Sequence, residues 1–496
     1  MIEALVELGL VFGASKTVTT SVLDTFDGEL HRSGLRLEFI ESDSRELVLS
    51  GDGVVPAHLA VDAVPLVPDD LPPGPFRSRL NAHTGIRALM PQIRERAERR
   101  VGTWRDASGK VVVVVELHQG ARVVGHPDID ATTTLEVHEV AGYARPTRRV
   151  CETLQRVGAT EAGADRLTRS AHEAGVDLAG YTATATVPLD ADMAAVDGFR
   201  AVLGNLATVI DANWQGAIDQ TDTVFLHQLR IALRRTRTIL KVAGPVLPTA
   251  ILEPAREQFA WLASATGTPR DLDVYLLEWD HYTGPLGADI ASSLAPVRDA
   301  LERDCADAHR RLEATLRSKR ATDWMREWRT WLDEPLRDDA LPRRAEQPLA
   351  SIVARRIGQA HDRLVDKGRA IDAGSPAEQV HDLRKDTKRL RYLLDCFGSL
   401  LPDKPRKRFV KRLKELQENL GEFQDAEVHI DLLADIAASA DASTAGPDTV
   451  TAGEALTERL EQQRRSARAE FAQRFADFDS PATRRALDAL LDGLRT

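Results

Sequence analysis

The sequence His227-Gln-Leu-Arg230-Ile-Ala-Leu-Arg234-Arg235-Thr-Arg237 returns 154 residues later as His381-Asp-Leu-Arg384-Lys385-Asp-Thr-Lys388-Arg389-Leu-Arg391. Two further segments recur at the same spacing. Val246-Leu247-Pro248 corresponds to Leu400-Leu401-Pro402, and Gly267-Thr-Pro-Arg270-Asp271-Leu-Asp273-Val274 corresponds to Gly421-Glu-Phe-Gln424-Asp425-Ala-Glu427-Val428. The repeated unit is far longer than the roughly 20–50 residues of a solenoid repeat. The pattern therefore predicts a duplicated helical half-domain.

Each copy of the basic segment has the pattern of an amphipathic helix with a cationic stripe. At roughly 100° per residue, the basic residues of each copy fall within a band about 80° wide, opposite the leucines and isoleucines. The first stripe consists of His227, Arg230, Arg234, Arg237 and Lys241. The second stripe consists of His381, Arg384, Lys388 and Arg391.

The first stripe carries no compensating charge, because no Asp or Glu occurs between His227 and Lys241. Solvated helix faces normally mix signs, and like charges three or four residues apart repel by roughly a few tenths of a kcal/mol per pair. A bound polyanion would offset that repulsion. Arginine suits phosphate because its planar fork donates two parallel hydrogen bonds and stays charged, and a histidine adds a further donor. Other basic runs supply Arg310, Arg311 and Lys414 as further candidates.

These segments resemble the CHAD family, whose two halves carry a His-x-x-Arg-x-x-x-(Arg/Lys)-Arg-x-Arg helix followed by Gly-x-x-Arg-Asp-x-Asp-Val. The resemblance covers roughly Asp190 to the C-terminus, and Gln424 departs from it where the first copy has Arg270. It implies an all-α bundle with internal pseudo-twofold symmetry, whose paired basic helices line a central channel that binds inorganic polyphosphate. The ligand positions that it implies are His227, Arg230, Arg234, Arg235, Arg237, His381, Arg384, Lys388, Arg389 and Arg391.

Asp271 and Asp425 follow the glycine of each copy and invite two interpretations. Paired carboxylates can act as general acid and base. An Asp after a glycine and before an apolar run is more often a helix N-cap or an ion-pair partner. We expect the structural role and name no catalytic residue.

The N-terminal third has β-rich runs at 35–39, 46–49, 111–117 and 133–137, with one helix expected around 84–90. The stretch from Leu23 to Arg36, with Asp24-Thr25-Phe26-Asp27 and Gly34-Leu35-Arg36, resembles the CYTH family. That resemblance implies an antiparallel β tunnel that binds triphosphate and a divalent metal.

The chemistry of the CYTH family depends on a Glu-x-Glu-x-Lys start, which Met1-Ile2-Glu3-Ala4-Leu5-Val6-Glu7 does not provide. Glu116, Glu136 and Glu139 are either remnants of a metal site or members of a solvated strand face. We therefore expect a degenerate, CYTH-like scaffold and a protein that binds phosphate without catalysis. The alternative is a metal-dependent triphosphatase or polyphosphate hydrolase in the N-terminal tunnel.

A length of 496 residues accommodates two or three domains. We expect an α+β protein with a tunnel-like β domain at 1–180 and a helical domain at 190–496, its half-repeats spanning about 190–335 and 345–496. The net charge of −11 excludes a protein that is basic overall, and the cationic residues occur in local clusters along the sequence, which favours a confined site. A nucleic-acid site would need aromatic residues interleaved with the basic ones, and the first stripe has none.

No apolar run approaches the roughly 18 residues of a membrane span, and no basic segment marks a leader. Three isolated cysteines argue for a reducing compartment, and the absence of CxxC and HExxH motifs argues against structural zinc. We expect a cytoplasmic protein, associated with polyphosphate granules, that uses no metal or cofactor and binds neither nucleic acid nor membrane.

Overall fold

The computed structural model describes residues 1–51, 54–181, 187–334, 341–372, 374–439 and 447–494. The chain forms two compact units, residues 1–182 and 183–496. The first is a β unit and the second is helical throughout its described part. The predicted α+β class is therefore confirmed. No helix among the described residues is long and apolar enough to cross a membrane.

The first unit is an antiparallel sheet ordered β5-β4-β3-β2-β6-β7-β8, with β1 also paired to β6. The strands are β1 (Leu10–Phe12), β2 (Lys16–Asp24), β3 (Leu35–Glu41), β4 (Arg45–Gly51), β5 (Val54–Ala60), β6 (Met90–Arg105), β7 (Val111–Val123) and β8 (Thr132–Glu139). The helices are α1 (Ile2–Glu7), α2 (Glu29–Arg32), α3 (Pro75–Thr84), α4 (Ala144–Arg156) and α5 (Arg166–Glu173), and a 3-10 turn spans Pro68–Asp70. The sheet curls into a half-barrel, in keeping with a tunnel-like domain.

Alternating side chains of the sheet form its two apolar faces. Leu37 and Leu47 belong to a buried cluster on one face. Val22 and Ile93 belong to another cluster, in which Leu167 of α5 also packs. The four predicted β-rich runs all lie in strands. The helix expected around 84–90 is wrong, because α3 ends at Thr84, where Gly85 adopts φ +57°, and β6 begins at Met90.

The second unit contains long helices joined by short connections. The helices in the first half of this unit are α6 (Ala195–Asp219), α7 (Thr223–Val242), α8 (Thr249–Ala265), α9 (Gly267–Leu277), α10 (Trp279–Thr283), α11 (Ala288–Ser293), α12 (Ala295–Arg317) and α13 (Lys319–Asp333). The others are α14 (Leu349–Arg369), α15 (Ala377–Cys396), α16 (Asp403–Ser439), α17 (Pro447–Phe478) and α18 (Pro481–Asp492). Two 3-10 turns span Gly284–Leu286 and Gly398–Leu400.

Helix bounds recur at the spacing of the sequence repeat. Both bounds of α7 and α15 differ by 154 residues, and so do the first residues of α6 and α14 and of α8 and α16. The match is incomplete, since α8 and α9 are separate helices whereas α16 runs without a break through the corresponding residues. The pseudo-twofold packing implied by the resemblance stays a prediction.

The two basic helices are held by their apolar faces. Asp222 caps α7, because its carboxylate accepts hydrogen bonds from the backbone N–H groups of Val224 (2.8 Å) and Phe225 (3.3 Å). Leu229 and Leu233 of α7 are fully buried, as are the leucines of α15 at 383, 390, 393 and 394. With its apolar face in the core, α7 packs against α6, α8, α9 and α15. Its cationic stripe faces away from this core.

Candidate anion-binding site

One cavity of about 370 Å³ brings the two basic helices together with α14. Arg234 of α7 and Lys388 of α15 both line it. The lining contains eight basic side chains and two carboxylates: Arg234, Arg237, Lys241, Arg363, Lys367, Lys385, Lys388 and Arg389, with Asp382 and Asp386. Such a surplus of positive charge in a confined space attracts anions and disfavours cations.

Four of these cations have no acidic partner. Among the described residues, no carboxylate oxygen lies within 4.0 Å of the charged groups of Arg234, Arg237, Lys241 or Lys388. Burial, followed by the charges of Arg384 and Arg234, lowers the pKa of Lys388 to about 7. Burial also lowers the pKa of Arg237 and of Lys241. The ligand-free site therefore holds mutually repelling cations that a bound anion would stabilise.

A single buried carboxylate holds the other side of the cavity. Asp386 accepts ion pairs from Lys367 (2.8 Å), Arg363 (3.1 Å) and Arg389 (3.6 Å). Because one negative charge serves three positive ones, the group keeps a net positive charge while its side chains are fixed in place. Sequence analysis missed Arg363, Lys367 and Lys385, since each has an aspartate within four residues along its helix and so looks like an ordinary mixed helix face.

Asp271 and Asp425, which occupy equivalent positions of the repeat, each form an ion pair with an arginine of a basic helix. Arg230 Nη2 lies 3.5 Å from Asp271 Oδ1, and Arg384 Nη2 lies 3.2 Å from Asp425 Oδ1. Neither aspartate is an N-cap, because α9 begins at Gly267 and Asp425 lies within α16. Of the roles considered for them, the ion-pair role fits the structure. Asp271 therefore holds the Arg230 side chain of α7, and Asp425 holds the Arg384 side chain of α15.

The two histidines of the repeat have different surroundings because Gln424 replaces the arginine. His227 is half-buried beside Arg270, and its loss of solvent together with the charges of Arg270 and Arg230 lowers the pKa of its imidazole to about 4. It is therefore neutral at pH 7 in the ligand-free protein and offers an N–H donor rather than a charge. His381 instead hydrogen-bonds through Nδ1 to Oε1 of Gln424.

Arg235 and Arg391 share a carboxylate away from the cavity lining. Asp395 Oδ2 lies 3.3 Å from Arg235 Nη2, and Asp395 Oδ1 lies 2.9 Å from Arg391 Nε. Arg235 also lies over the ring of Tyr392, 5.8 Å from its centroid. Since Arg235 belongs to α7 and Asp395 to α15, this group ties the two basic helices to each other. Because one carboxylate serves two guanidinium groups, this group still keeps one net positive charge.

Three further candidate residues are not brought to the cavity. Arg310 and Arg311 are exposed on α12, where Arg310 pairs with Asp307. Lys414 is exposed on α16 and lies 3.5 Å from Glu418. Each of the two pairs joins neighbours on one helix, an arrangement that contributes little to stability or to binding.

Three glutamates of the β unit, Glu95, Glu116 and Glu136, have basic partners from the same chain. Arg166 of α5 is buried, contacts Glu95 and lies 3.3 Å from Glu136. Ser170 donates a hydrogen bond to Glu95 (2.6 Å). Glu116 pairs with Arg99 at 2.9 Å.

Arg36 pairs with two further carboxylates of the β unit, Asp165 and Glu38. Arg36 forms two hydrogen bonds to Asp165, at 2.7 and 2.8 Å. Glu38 is half-buried close to both Arg36 and Arg166, and its loss of solvent raises its pKa. Glu139 is exposed at the end of β8. Helix α5 therefore supplies one cation, Arg166, that pairs with the two sheet carboxylates Glu95 and Glu136.

Comparison with known proteins gives three results. Residues 201–434 match the family model of the CHAD domain. The structure of the CHAD domain from the plant Ricinus communis is 28% identical, with 62% of this chain and 96% of that chain covered and a TM-score of 0.47. The structure of PptA from Streptomyces chartreusis is 19% identical, with 57% of this chain and 99% of that chain covered and a TM-score of 0.45. No curated protein matches the chain.

Proposed function

We propose that the CHAD domain at residues 201–434 binds inorganic polyphosphate in the cavity between α7, α14 and α15, and that this binding associates the protein with polyphosphate granules in the cytoplasm. The observation that carries the proposal is a group of four cations that have no acidic partner among the described residues; two of them, Arg234 and Lys388, come from equivalent positions of the repeat. A polyanion neutralises several such charges at once. A single small anion neutralises only one or two.

The composition of the cavity favours phosphate over other polyanions. Arginine forks match the oxygens of successive phosphates, and lysines act as point charges between them. Nucleic-acid binding relies on aromatic side chains on which bases stack, and Tyr392 is the one aromatic residue in the described lining, where it already lies against Arg235. A linear polymer without bases uses the charges and needs no stacking surface.

Charge reversal tests the site directly. The double variant R234E/K388E removes one cation of each half and adds repulsion. Each lost charged contact costs roughly 1.5–3 kcal/mol, so the affinity for long-chain polyphosphate should fall at least about a hundredfold. The matched control is R310E/R311E, which makes the same charge change on exposed α12 and should stay within about threefold of the original affinity. Equal losses in the two variants would contradict the proposed site.

A phosphate-release assay separates binding from hydrolysis. We expect the protein to retain polyphosphate without consuming it, with or without Mg²⁺ or Mn²⁺, because Arg166 and Arg36 occupy the carboxylates of the β unit. Metal-dependent release that survives R234E/K388E, but is lost in a variant of the β unit such as E95Q/E136Q, would establish the hydrolase alternative instead. Circular dichroism of each variant checks that the fold is kept.

A further inference from the structure

A buried group of three metal-capable side chains joins α9 to α12. Asp273 comes from α9, and Cys305 and His309 lie one turn apart on α12. One ligand atom from each lies within 4.8 Å of the other two. In the described part of the chain, this is the one group of three or more His, Cys, Asp or Glu residues that meets this condition. His309 Nε2 lies 2.8 Å from Asp273 Oδ1, and Cys305 Sγ lies 3.4 Å from the same oxygen.

The group is poorly satisfied by the protein alone. Asp273 is 5% exposed and His309 is 8% exposed. Within the described residues, Asp273 Oδ2 and His309 Nδ1 are buried without a hydrogen-bond partner. A buried carboxylate oxygen or ring nitrogen without a partner is costly, because it has lost its water and gained nothing in exchange. The unmet bonding capacity belongs to the two side chains that would ligate a cation.

We propose that Asp273, Cys305 and His309 bind a divalent cation of the Zn²⁺ class. A thiolate and an imidazole select zinc and related transition metals over Mg²⁺ and Ca²⁺, which prefer oxygen ligands. Tetrahedral ligands at about 2.0–2.3 Å from zinc stand roughly 3–4 Å from one another, so small side-chain movements convert the present contacts into coordination. Three protein ligands leave the fourth position to water, which the partly exposed Cys305 makes accessible.

The charges of such a site balance. On binding, the Cys305 thiol releases its proton to solvent and becomes a thiolate. One thiolate and one carboxylate then neutralise the two positive charges of the cation. Coordination to neutral imidazole completes the set without adding charge. Without a cation, burial and the neighbouring Asp273 raise the pKa of the thiol to about 12, and Cys305 contacts Asp273 rather than His309, so the group lacks the arrangement of a cysteine nucleophile.

In the second half of the repeat, an arginine pairs with the carboxylate that corresponds to Asp273. Glu427 stands at the position of Asp273, and Arg459 and Gln463 stand at the positions of Cys305 and His309. Arg464 Nη1 lies 2.5 Å from Glu427 Oε1. A built-in guanidinium therefore neutralises the carboxylate of the second half. The first half has no arginine in that contact and instead presents a thiol and an imidazole.

A cation at this site would clamp α9 to α12. Helix α9 also carries Arg270 beside His227 and Asp271 beside Arg230, so the clamp would fix an element that borders the basic stripe. The inference does not depend on what the stripe binds. Metal binding is measured without phosphate, and either proposal can fail while the other stands.

Cobalt titration of the full-length protein tests the site, because Co²⁺ bound to a thiolate gives a sulfur-to-metal charge-transfer band in the near ultraviolet. We expect the band to saturate at one equivalent, to persist in C151S and C396S and to vanish in C305S. We expect Zn²⁺ to displace the Co²⁺ and to raise the Tm of the original protein, and both H309Q and D273N to weaken Co²⁺ binding at least tenfold.

The chain has three cysteines, so persistence of the band in both C151S and C396S assigns it to Cys305 even where C305S fails to fold. Absence of the band and of a Tm shift in the original protein would overturn the proposal, and Asp273 and His309 would then be a hydrogen-bonded core pair. A band that survives in folded C305S would assign the metal to another thiol and would overturn it equally.

Discussion

Arg234 and Lys388 stand 154 residues apart, at equivalent positions of the repeat, and their side chains line the same cavity. Like charges converge in this way only where the apolar faces of α7 and α15 have already fixed the helices, since the cations repel each other. The fold therefore provides the energy that holds the site ready for an anion.

Polyphosphate affinity should fall steeply with salt. Each phosphate that the cavity neutralises releases condensed counterions, so the logarithm of the association constant should fall linearly with the logarithm of salt concentration. With four unpaired cations engaged, we expect a slope of roughly −3 to −4. Titrations at several NaCl concentrations give the slope. The R237Q variant should reduce it by about one, whereas a slope near zero in the original protein would mean that charge is not the basis of binding.

Affinity should also fall as pH rises through neutrality. The pKa of Lys388 is about 7 in the ligand-free protein, and a bound anion raises it, so binding takes up a proton at and above pH 7. The affinity is then highest below pH 7 and declines above it, while the internal phosphates of a long chain stay ionised. Calorimetry in buffers of different ionisation enthalpy measures the proton uptake. K388R is the control, since arginine stays charged and should remove the dependence.

Lys388 should cost the protein stability at neutral pH. Its folded-state pKa of about 7 lies below the ordinary 10.5, so the unfolded chain holds the proton more tightly and the free energy of unfolding rises with pH between these values. We expect K388M to raise the free energy of unfolding at pH 7 by roughly 0.5–2 kcal/mol, and by less at pH 10. Urea unfolding at the two pH values checks this. A destabilised K388M would show that the ammonium is favourably placed without a ligand.

The cations of α14 should contribute to binding although they lie outside the repeated motif. Arg363 and Lys367 line the cavity and are anchored by Asp386. We expect R363Q/K367Q to lower polyphosphate affinity at least about tenfold, because two charged contacts are lost. R355Q, an exposed change on the same helix, is the matched control. Unchanged affinity in R363Q/K367Q would restrict the site to α7 and α15.

The sequence predicted the helical C-terminal region well, because hydrophobic periodicity is a local property. The pattern from His227 to Lys241 indicated both the helix and its cationic face, and the CHAD resemblance that it carries is confirmed by the family match. The β-rich runs were also recognisable. The end of α3 was not, since it depends on the left-handed backbone of a single glycine, Gly85.

The sequence does not show which of its several basic runs contribute side chains to one cavity. Arg310, Arg311 and Lys414 belong to equally basic runs, yet they lie on exposed faces beside acidic neighbours. The group of Asp273, Cys305 and His309 was hidden for a similar reason. Cys305 and His309 are four residues apart on one helix, but the third member, Asp273, lies 32 residues before Cys305 on another helix, so the sequence does not show that the three side chains meet.

The second half alone supplies the arginine and lysine of α14, and this limits how many polymers the domain can hold. At the positions of Arg363 and Lys367 the first half has Val209 and Asn213, both buried in α6. If both copies had basic residues at these positions, the domain would have two equivalent basic surfaces. Under the proposed function we therefore expect the cavity between α7, α14 and α15 to hold one polyphosphate chain. Several molecules would then coat a chain side by side, and the cavity of one molecule would not cross-link two chains.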